Sequence, residues 1–231
     1  MKKIVVLTGA GMSAESGLTT FRDSGGLWEN YNIMDVASLD GWQRNRERVL
    51  NFYNDRRKQA HQARPNAGHF ALVELEDQYD VTVITQNVDN LHEKAGSRKV
   101  IHLHGELSKA RSSVDENDVR DIGGAEINPG DLCRQGSQLR PHIVWFGEMV
   151  PMMETAMQVT GTADIFVVLG TSLVVYPAAG LLAHVPEHAP LHVIDPVRPD
   201  TVIPRNVHYS EKTATVGTPE LVEQLLTLKG E

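Results

Sequence analysis

The chain has 231 residues, about one and a half times a typical domain, with 41% hydrophobic and 23% charged side chains. That balance fits a globular protein with a sizeable core and excludes a disordered tail, a collagen and a coiled coil. Thirty acidic against 22 basic residues give a formal net charge of −8, a poor balance for binding nucleic acid, which relies on basic side chains neutralising phosphates.

Short β-branched runs recur at 4–8, 81–85, 100–103, 142–146, 165–169 and 191–194. They are continuous rather than alternating, the pattern of strands buried on both faces of a parallel sheet. Helical segments lie between several of them, which makes the fold class α/β. A helix is predicted over 46–63, and another starts at Pro65-Asn66 and runs through Phe70, Ala71 and Leu75. The last is marked by Thr218 as N-cap and Pro219 at the first helical position, with Leu221, Leu225 and Leu226 as its apolar face. Residues 26–79 hold no convincing strand, and 107–140 are polar and rich in Gly and Asp. The expected organisation is a parallel-sheet domain from 1–25, 80–106 and 141–231, with a smaller, mainly helical lobe from 26–79 and 107–140.

Cys133 is the one cysteine, which excludes an internal disulfide and a cysteine-based zinc cluster. The apolar run that opens the chain stops at Thr8-Gly9, short of the ~7–15 residues of a signal-peptide core. No later apolar stretch approaches the ~20 residues of a membrane span. A cytoplasmic protein is expected, a monomer with neither nucleic-acid nor membrane partners.

Four polar loops follow predicted strands. Gly9-Ala10-Gly11-Met12-Ser13-Ala14 has the G-x-G-x-x-A spacing that lets a backbone approach phosphate. Such turns are common, and an ordinary dehydrogenase unit would need a second strand ending in an acid about 20 residues on. That distance falls in Leu27-Trp28-Glu29-Asn30, which does not read as a strand. Thr85 through His92 crowds amides and a carboxylate after a strand end, suited to a ribose or polar ring and equally to a helix cap. His102 and His104 are one residue apart; no third ligand at a recognisable spacing supports a metal pair, and His104 at a strand end suits a general base. Gly170-Thr171-Ser172 could meet a ribose or phosphate, or cap a helix. All four loops fall at one edge of one sheet, where such sheets place ligands.

Taken in order, Gly9 to Leu18, Thr20-Phe21-Arg22, Thr85-Gln86-Asn87-Val88-Asp89-Asn90-Leu91-His92, His104-Gly105, Phe146-Gly147-Glu148 and Gly170-Thr171-Ser172 resemble the sirtuin signature, over essentially the whole chain. The resemblance implies a Rossmann-like NAD-binding domain and an NAD-dependent protein-lysine deacylase. It implies that Gly9, Ala10, Gly11, Ser13 and Ala14 line the NAD phosphate and ribose region, with Thr20, Phe21 and Arg22 over its reactive end. Gln86 and Asn87 would sit by the ribose, Asp89 would hold the nicotinamide amide, and Gly170, Thr171, Ser172, Asp195 and Ala214 would complete the cofactor site. His104 would activate a ribose hydroxyl, and the products would be free lysine, nicotinamide and O-acyl-ADP-ribose. An acyl-lysine peptide would pair as a strand against Val144, Phe146, Gly147 and Glu148.

On the helix over 46–63, Val49, Phe52, Tyr53, Arg56, Ala60 and Ala63 form one stripe on which Arg56 is the charged exception. Snorkelling alone would explain it. Tyr53-x-x-Arg56 also matches the pair that marks sirtuins acting on succinyl- and malonyl-lysine, and Ala37 matches their small pocket residue, which implies desuccinylase beside deacetylase activity. The family's four zinc cysteines are missing: Ser112 and Ser113 follow Arg111, so no metal is expected. Asp195 stands where many sirtuins have Asn. The rival readings are a protein ADP-ribosyltransferase or NAD hydrolase, a non-catalytic NAD sensor, and a metal hydrolase using His102 and His104.

Overall fold

The computed structural model describes residues 1–19, 27–28, 31–199 and 207–229. In chain order its strands are β1 (Lys3–Thr8), β2 (Leu27–Trp28), β3 (Tyr31–Asn32), β4 (Asp80–Thr85), β5 (Val100–His102), β6 (Gly105–Ser112), β7 (Val119–Asp121), β8 (Leu139–Ile143), β9 (Ile165–Leu169), β10 (Leu191–Ile194) and β11 (Val207–Ser210). The helices are α1 (Ile33–Val36), α2 (Leu39–Arg44), α3 (Arg46–Gln62), α4 (Ala67–Leu75), α5 (Leu91–Ala95), α6 (Met153–Thr160) and α7 (Ala214–Lys229). Among the described residues, no helix is long and apolar enough to cross a membrane.

Six parallel strands form one sheet in the order β11-β10-β9-β1-β4-β5. Alternate residues of β1 face opposite cores. Ile4 and Val6 pack with Leu72 and Leu75 of α4 and with Leu221, Val222 and Leu225 of α7. Val5 and Leu7 pack instead with Ala156 of α6 and with Ala178, Ala179 and Leu181. Burial on both faces is why the strand reads as an unbroken apolar run. A third core joins Val49, Phe52 and Tyr53 of α3 to Leu107, Ala110, Leu139 and Trp145.

Several expectations need correction. The run at 142–146 does not join the parallel sheet: β8 ends at Ile143 and pairs antiparallel with β6 in a three-stranded sheet ordered β7-β6-β8. Pro141 stands opposite Ala110, beside the register shift between Glu106 and Ala110; its missing N–H suits an irregular ladder. The stretch 107–140 therefore carries strands, hidden in the sequence because the buried apolar residues of β6, Leu107 and Ala110, are isolated among polar ones, Arg111 and Ser112 being buried as well. The α4 segment, expected in the small lobe, lies on the parallel sheet. Its cap explains why: the Asn66 side chain accepts from Gly68 N and His69 N while its amide donates to Met12 O and Ser16 Oγ. Finally, α7 begins before Thr218, because Val216 N and Gly217 N already donate to Thr213 O; Pro219 lies inside it.

Candidate functional site

A cleft of about 500 Å³ opens along the carboxyl ends of β1, β4, β9 and β10 and continues into the small lobe. This is where the strand order reverses, the usual ligand position in open α/β sheets. Its floor is a close approach of two loops. Gly9 N donates to Leu169 O (3.0 Å) and Gly11 N to Gly170 O (2.9 Å). Gly170 has φ +59°, and a Cβ there would stand 2.5 Å from the Gly11 carbonyl carbon. A Cβ on Gly9 would come within 2.8 Å of Gly170 O. Glycine is required at this approach by steric exclusion. The loop continues as two short 3-10 turns, Ala10–Met12 and Ala14–Ser16, in place of a long helix.

The residues after β4 form a polar wall. Asn87 is buried and donates both amide hydrogens, to Gly9 O (3.0 Å) and Ser13 Oγ (3.1 Å). Gln86 bridges to the β9 loop through Thr171 Oγ1 (3.2 Å). Asp89 is buried and accepts from Leu91 N (3.0 Å). Burial pushes its carboxyl above the usual carboxylate range, partly offset by that amide and by Ser13. Asp195 is buried at the end of β10 and accepts from Val197 N.

His104 lines the cleft with its Nδ1 3.0 Å from Gln86 O. A carbonyl only accepts, so Nδ1 carries the proton and the neutral ring keeps its lone pair on Nε2. Burial pulls its pKa down, against a smaller upward pull from the Gln86 carbonyl. His102 is different. It is 2.7 Å from Glu93 Oε1 and 3.3 Å from Asn87 O, and although burial pulls its pKa down, Glu93 raises it overall. With both nitrogens of His102 engaged elsewhere, the two histidines do not form a metal pair. Among the described residues no group of three His, Cys, Asp or Glu is placed to hold a metal ion.

The far end of the cleft is apolar and lies under α3. Ala37, Ala60, Leu107, Ile143 and Trp145 line it with Tyr53 and Arg56. The Arg56 side chain belongs to a residue only 6% exposed, and its Nη1 lies 3.4 Å from Gln59 Oε1. Tyr53 is fully buried, and its hydroxyl oxygen accepts from Trp145 Nε1 (3.0 Å).

Between the two ends runs 144–148. Val144 N donates to His104 O, Phe146 N to Ala37 O and Glu148 N to Trp145 O. Trp145 N donates to Glu148 Oε2 (2.8 Å). Gly147 alone in this segment has an amide without a partner among the described residues. Glu148 accepts from Arg140 (2.7 and 3.0 Å) and Arg111 (3.1 Å), so its carboxylate fixes the segment from within. Burial would raise its pKa, but the Arg140 hydrogen bonds, the Trp145 amide and the two arginine charges hold it below the ordinary range.

Of the residues singled out in the sequence, Gly9, Ala10, Gly11, Ser13, Ala14, Ala37, Tyr53, Arg56, Gln86, Asn87, Asp89, His104, Val144, Phe146, Gly147, Glu148, Gly170, Thr171, Ser172 and Asp195 all line this cleft. Ala214 does not: it is buried in the core shared by α4 and α7, and its neighbour Thr213 lines the cleft. Thr20, Phe21 and Arg22 lie outside the described residues. Ile33, Val197 and Tyr176 also line it and were missed, and Trp145, inside the expected peptide segment, was given no role of its own. Trp145 read as one apolar residue of a strand, and only its partner Tyr53 reveals the indole N–H as part of the site.

Fold and site together define an α/β protein whose strand-end cleft has a glycine floor, a histidine held through Nδ1 and an apolar side cavity with a nearly buried arginine. The Sir2 family pattern matches residues 9–177. An NAD-dependent protein deacylase of Bacteroides thetaiotaomicron is 54% identical over 231 residues, covering 98% of this chain and 99% of its own. A crystal structure of a Sir2 homologue–NAD complex is 39% identical with a TM-score of 0.87, covering 98% of this chain and 90% of that one. A Sir2 homologue mutant bound to ADP-ribose is also 39% identical, with a TM-score of 0.88 and coverage of 99% and 94%. The chain belongs to the Sir2 family.

The zinc that the sirtuin resemblance implies does not fit these residues. Cys133 Sγ lies 3.0 Å from Ser137 Oγ, which lies 3.1 Å from Ser112 Oγ: one thiol among hydroxyls. The donor set suits a dinucleotide instead: Gly9, Ala10, Gly11, Gln86, Asn87, Asp89, Thr171 and Ser172 line one continuous cleft of about 500 Å³ at the strand ends.

Proposed function

We propose that the chain is an NAD-dependent protein-lysine deacylase whose cavity takes acetyl and also short acyl groups ending in a carboxylate, succinyl and malonyl. The observation that carries the acyl preference is Arg56, a nearly buried guanidinium lining an otherwise apolar pocket. A cation kept out of water favours an anionic ligand, and a guanidinium fork matches a carboxylate. Bound NAD supplies a ribose carbon activated by its nicotinamide leaving group and is consumed.

The glycine floor admits the pyrophosphate. Asp89, with its carboxyl shifted upward by burial, meets the carboxamide of nicotinamide. His104 Nε2 takes the proton of a ribose hydroxyl, the role its fixed tautomer allows. Tyr53 and Arg56 sit one helical turn apart on α3 and receive the acyl terminus together, above the small Ala37. The peptide meets the Gly147 amide as an extended strand. The protein acts in the cytoplasm as a monomer.

The test is mass spectrometry of acetyl- and succinyl-lysine peptides incubated with the protein, with and without NAD, and with Arg56→Met. NAD-dependent loss of both acyl groups, with succinyl turnover collapsing in the variant, is expected. Succinyl turnover unchanged by Arg56→Met would remove the acid-acyl assignment. Nicotinamide release without acyl loss would move the protein to ADP-ribosyl transfer or NAD hydrolysis.

A further inference from the structure

We propose that Trp145 is a positioning residue for acyl selection: its indole N–H occupies the Tyr53 oxygen and so commits that hydroxyl to donate its proton into the acyl end of the cleft. The inference rests on the reading of Tyr53 and Arg56 as receptor for an acidic acyl group.

The polarity follows from donor chemistry. An indole N–H only donates, and it lies 3.0 Å from the Tyr53 oxygen. A tyrosine hydroxyl has one proton to give, and with the indole as donor that proton cannot be spent on Trp145. Among the described residues it has no acceptor, while the side chain lines the cleft. Burial keeps the phenol protonated by raising its pKa. An incoming oxygen acceptor therefore meets a donor at Tyr53 beside the Arg56 cation. A carboxylate satisfies both groups; the methyl of an acetyl group satisfies neither.

The indole is held so that it cannot turn away. The Arg140 guanidinium lies 3.4 Å over its ring centre. Its backbone N–H is taken by Glu148, whose carboxylate also binds Arg140 and Arg111. Trp42 packs against its ring at 5.6 Å. The clamp that shapes the peptide segment thus also fixes the donor that orients the acyl receptor.

The experiment measures kcat and KM on acetyl- and succinyl-lysine peptides for the wild type, Trp145→Phe, Tyr53→Phe and the double variant. The expected result is a roughly tenfold or greater fall in the succinyl-to-acetyl ratio of kcat/KM for Trp145→Phe, the scale of one hydrogen bond to a charged group. That fall would lie mainly in the succinyl KM, and the double variant would show no larger fall than Tyr53→Phe alone. Equal losses on both substrates, or additive losses in the double variant, would mean that Trp145 only fills space and would overturn the proposal. A wild type inactive on succinyl-lysine would instead overturn the acid-acyl reading beneath it. Tyr53→Phe removes only the hydroxyl and keeps the ring beside the indole, so an unchanged succinyl-to-acetyl ratio in that variant would overturn the proposal even if Trp145→Phe folds poorly.

Discussion

The Asn54 side chain pairs with Ile127 as a neighbouring strand would: its Nδ2 donates to Ile127 O (3.0 Å) and its Oδ1 accepts from Ile127 N (3.0 Å). The same Oδ1 accepts from Arg57 Nη1 (2.7 Å), and Arg57 Nε donates to Leu107 O (2.6 Å). One buried amide thus ties the loop before β8 to α3, the helix that carries Tyr53 and Arg56, in a lobe whose residues do not fit the family's zinc.

Asn54→Ala orphans both backbone groups of Ile127 together with a hydrogen bond of buried Arg57. Each buried group left unpaired costs about 1–3 kcal/mol, so the urea midpoint falls clearly. Activity on acyl peptides falls with it, because the loop and the acyl receptor share α3. Treatment with EDTA leaves that midpoint unchanged; a drop on chelation would show that a metal holds the lobe.

His104 must be neutral to accept a proton. Its folded pKa lies below the ordinary value of about 6.5, so the active form is complete above that value and is lost only as pH falls through the lower one. The acid limb of kcat/KM should therefore lie below pH 6.5 in a pH–rate profile. His104→Ala should remove this limb and cost on the order of 10²–10⁴-fold in deacylation. An acid limb above 6.5 would contradict the buried, Nδ1-protonated ring.

Gly170→Ala combines a left-handed backbone, φ +59°, with a Cβ 2.5 Å from Met12 N. Gly123 has φ +54° but open space around its would-be Cβ, so Gly123→Ala pays backbone strain alone, about 1–3 kcal/mol. Gly170→Ala should be the more destabilising of the two in urea melts and should weaken NAD binding, read by calorimetry, where Gly123→Ala does not. Equal effects would remove the close approach as the reason for glycine.

The sequence alone determined the parallel strands buried on both faces, since Ile4 to Leu7 leave no polar side, and the gathering of four polar loops at one sheet edge. It also placed Tyr53 and Arg56 on one helical stripe, because spacing by three is visible without coordinates. What it hid was long-range pairing. β6 reads as polar because its buried Leu107 and Ala110 are separated by Ser108 and Lys109. The α4 segment carries no mark of which core it faces, and only Leu72 and Leu75 against Ile4 and Val6 settle that. Tertiary structure also decided the polarity of the site. Whether Glu148 meets a substrate or two arginines, and whether Tyr53 accepts or donates, depends on partners 8 to 92 residues away in the chain. Local pattern reports burial and periodicity, but a hydrogen bond's direction is fixed by which group stands opposite, and that is set only when the chain has folded.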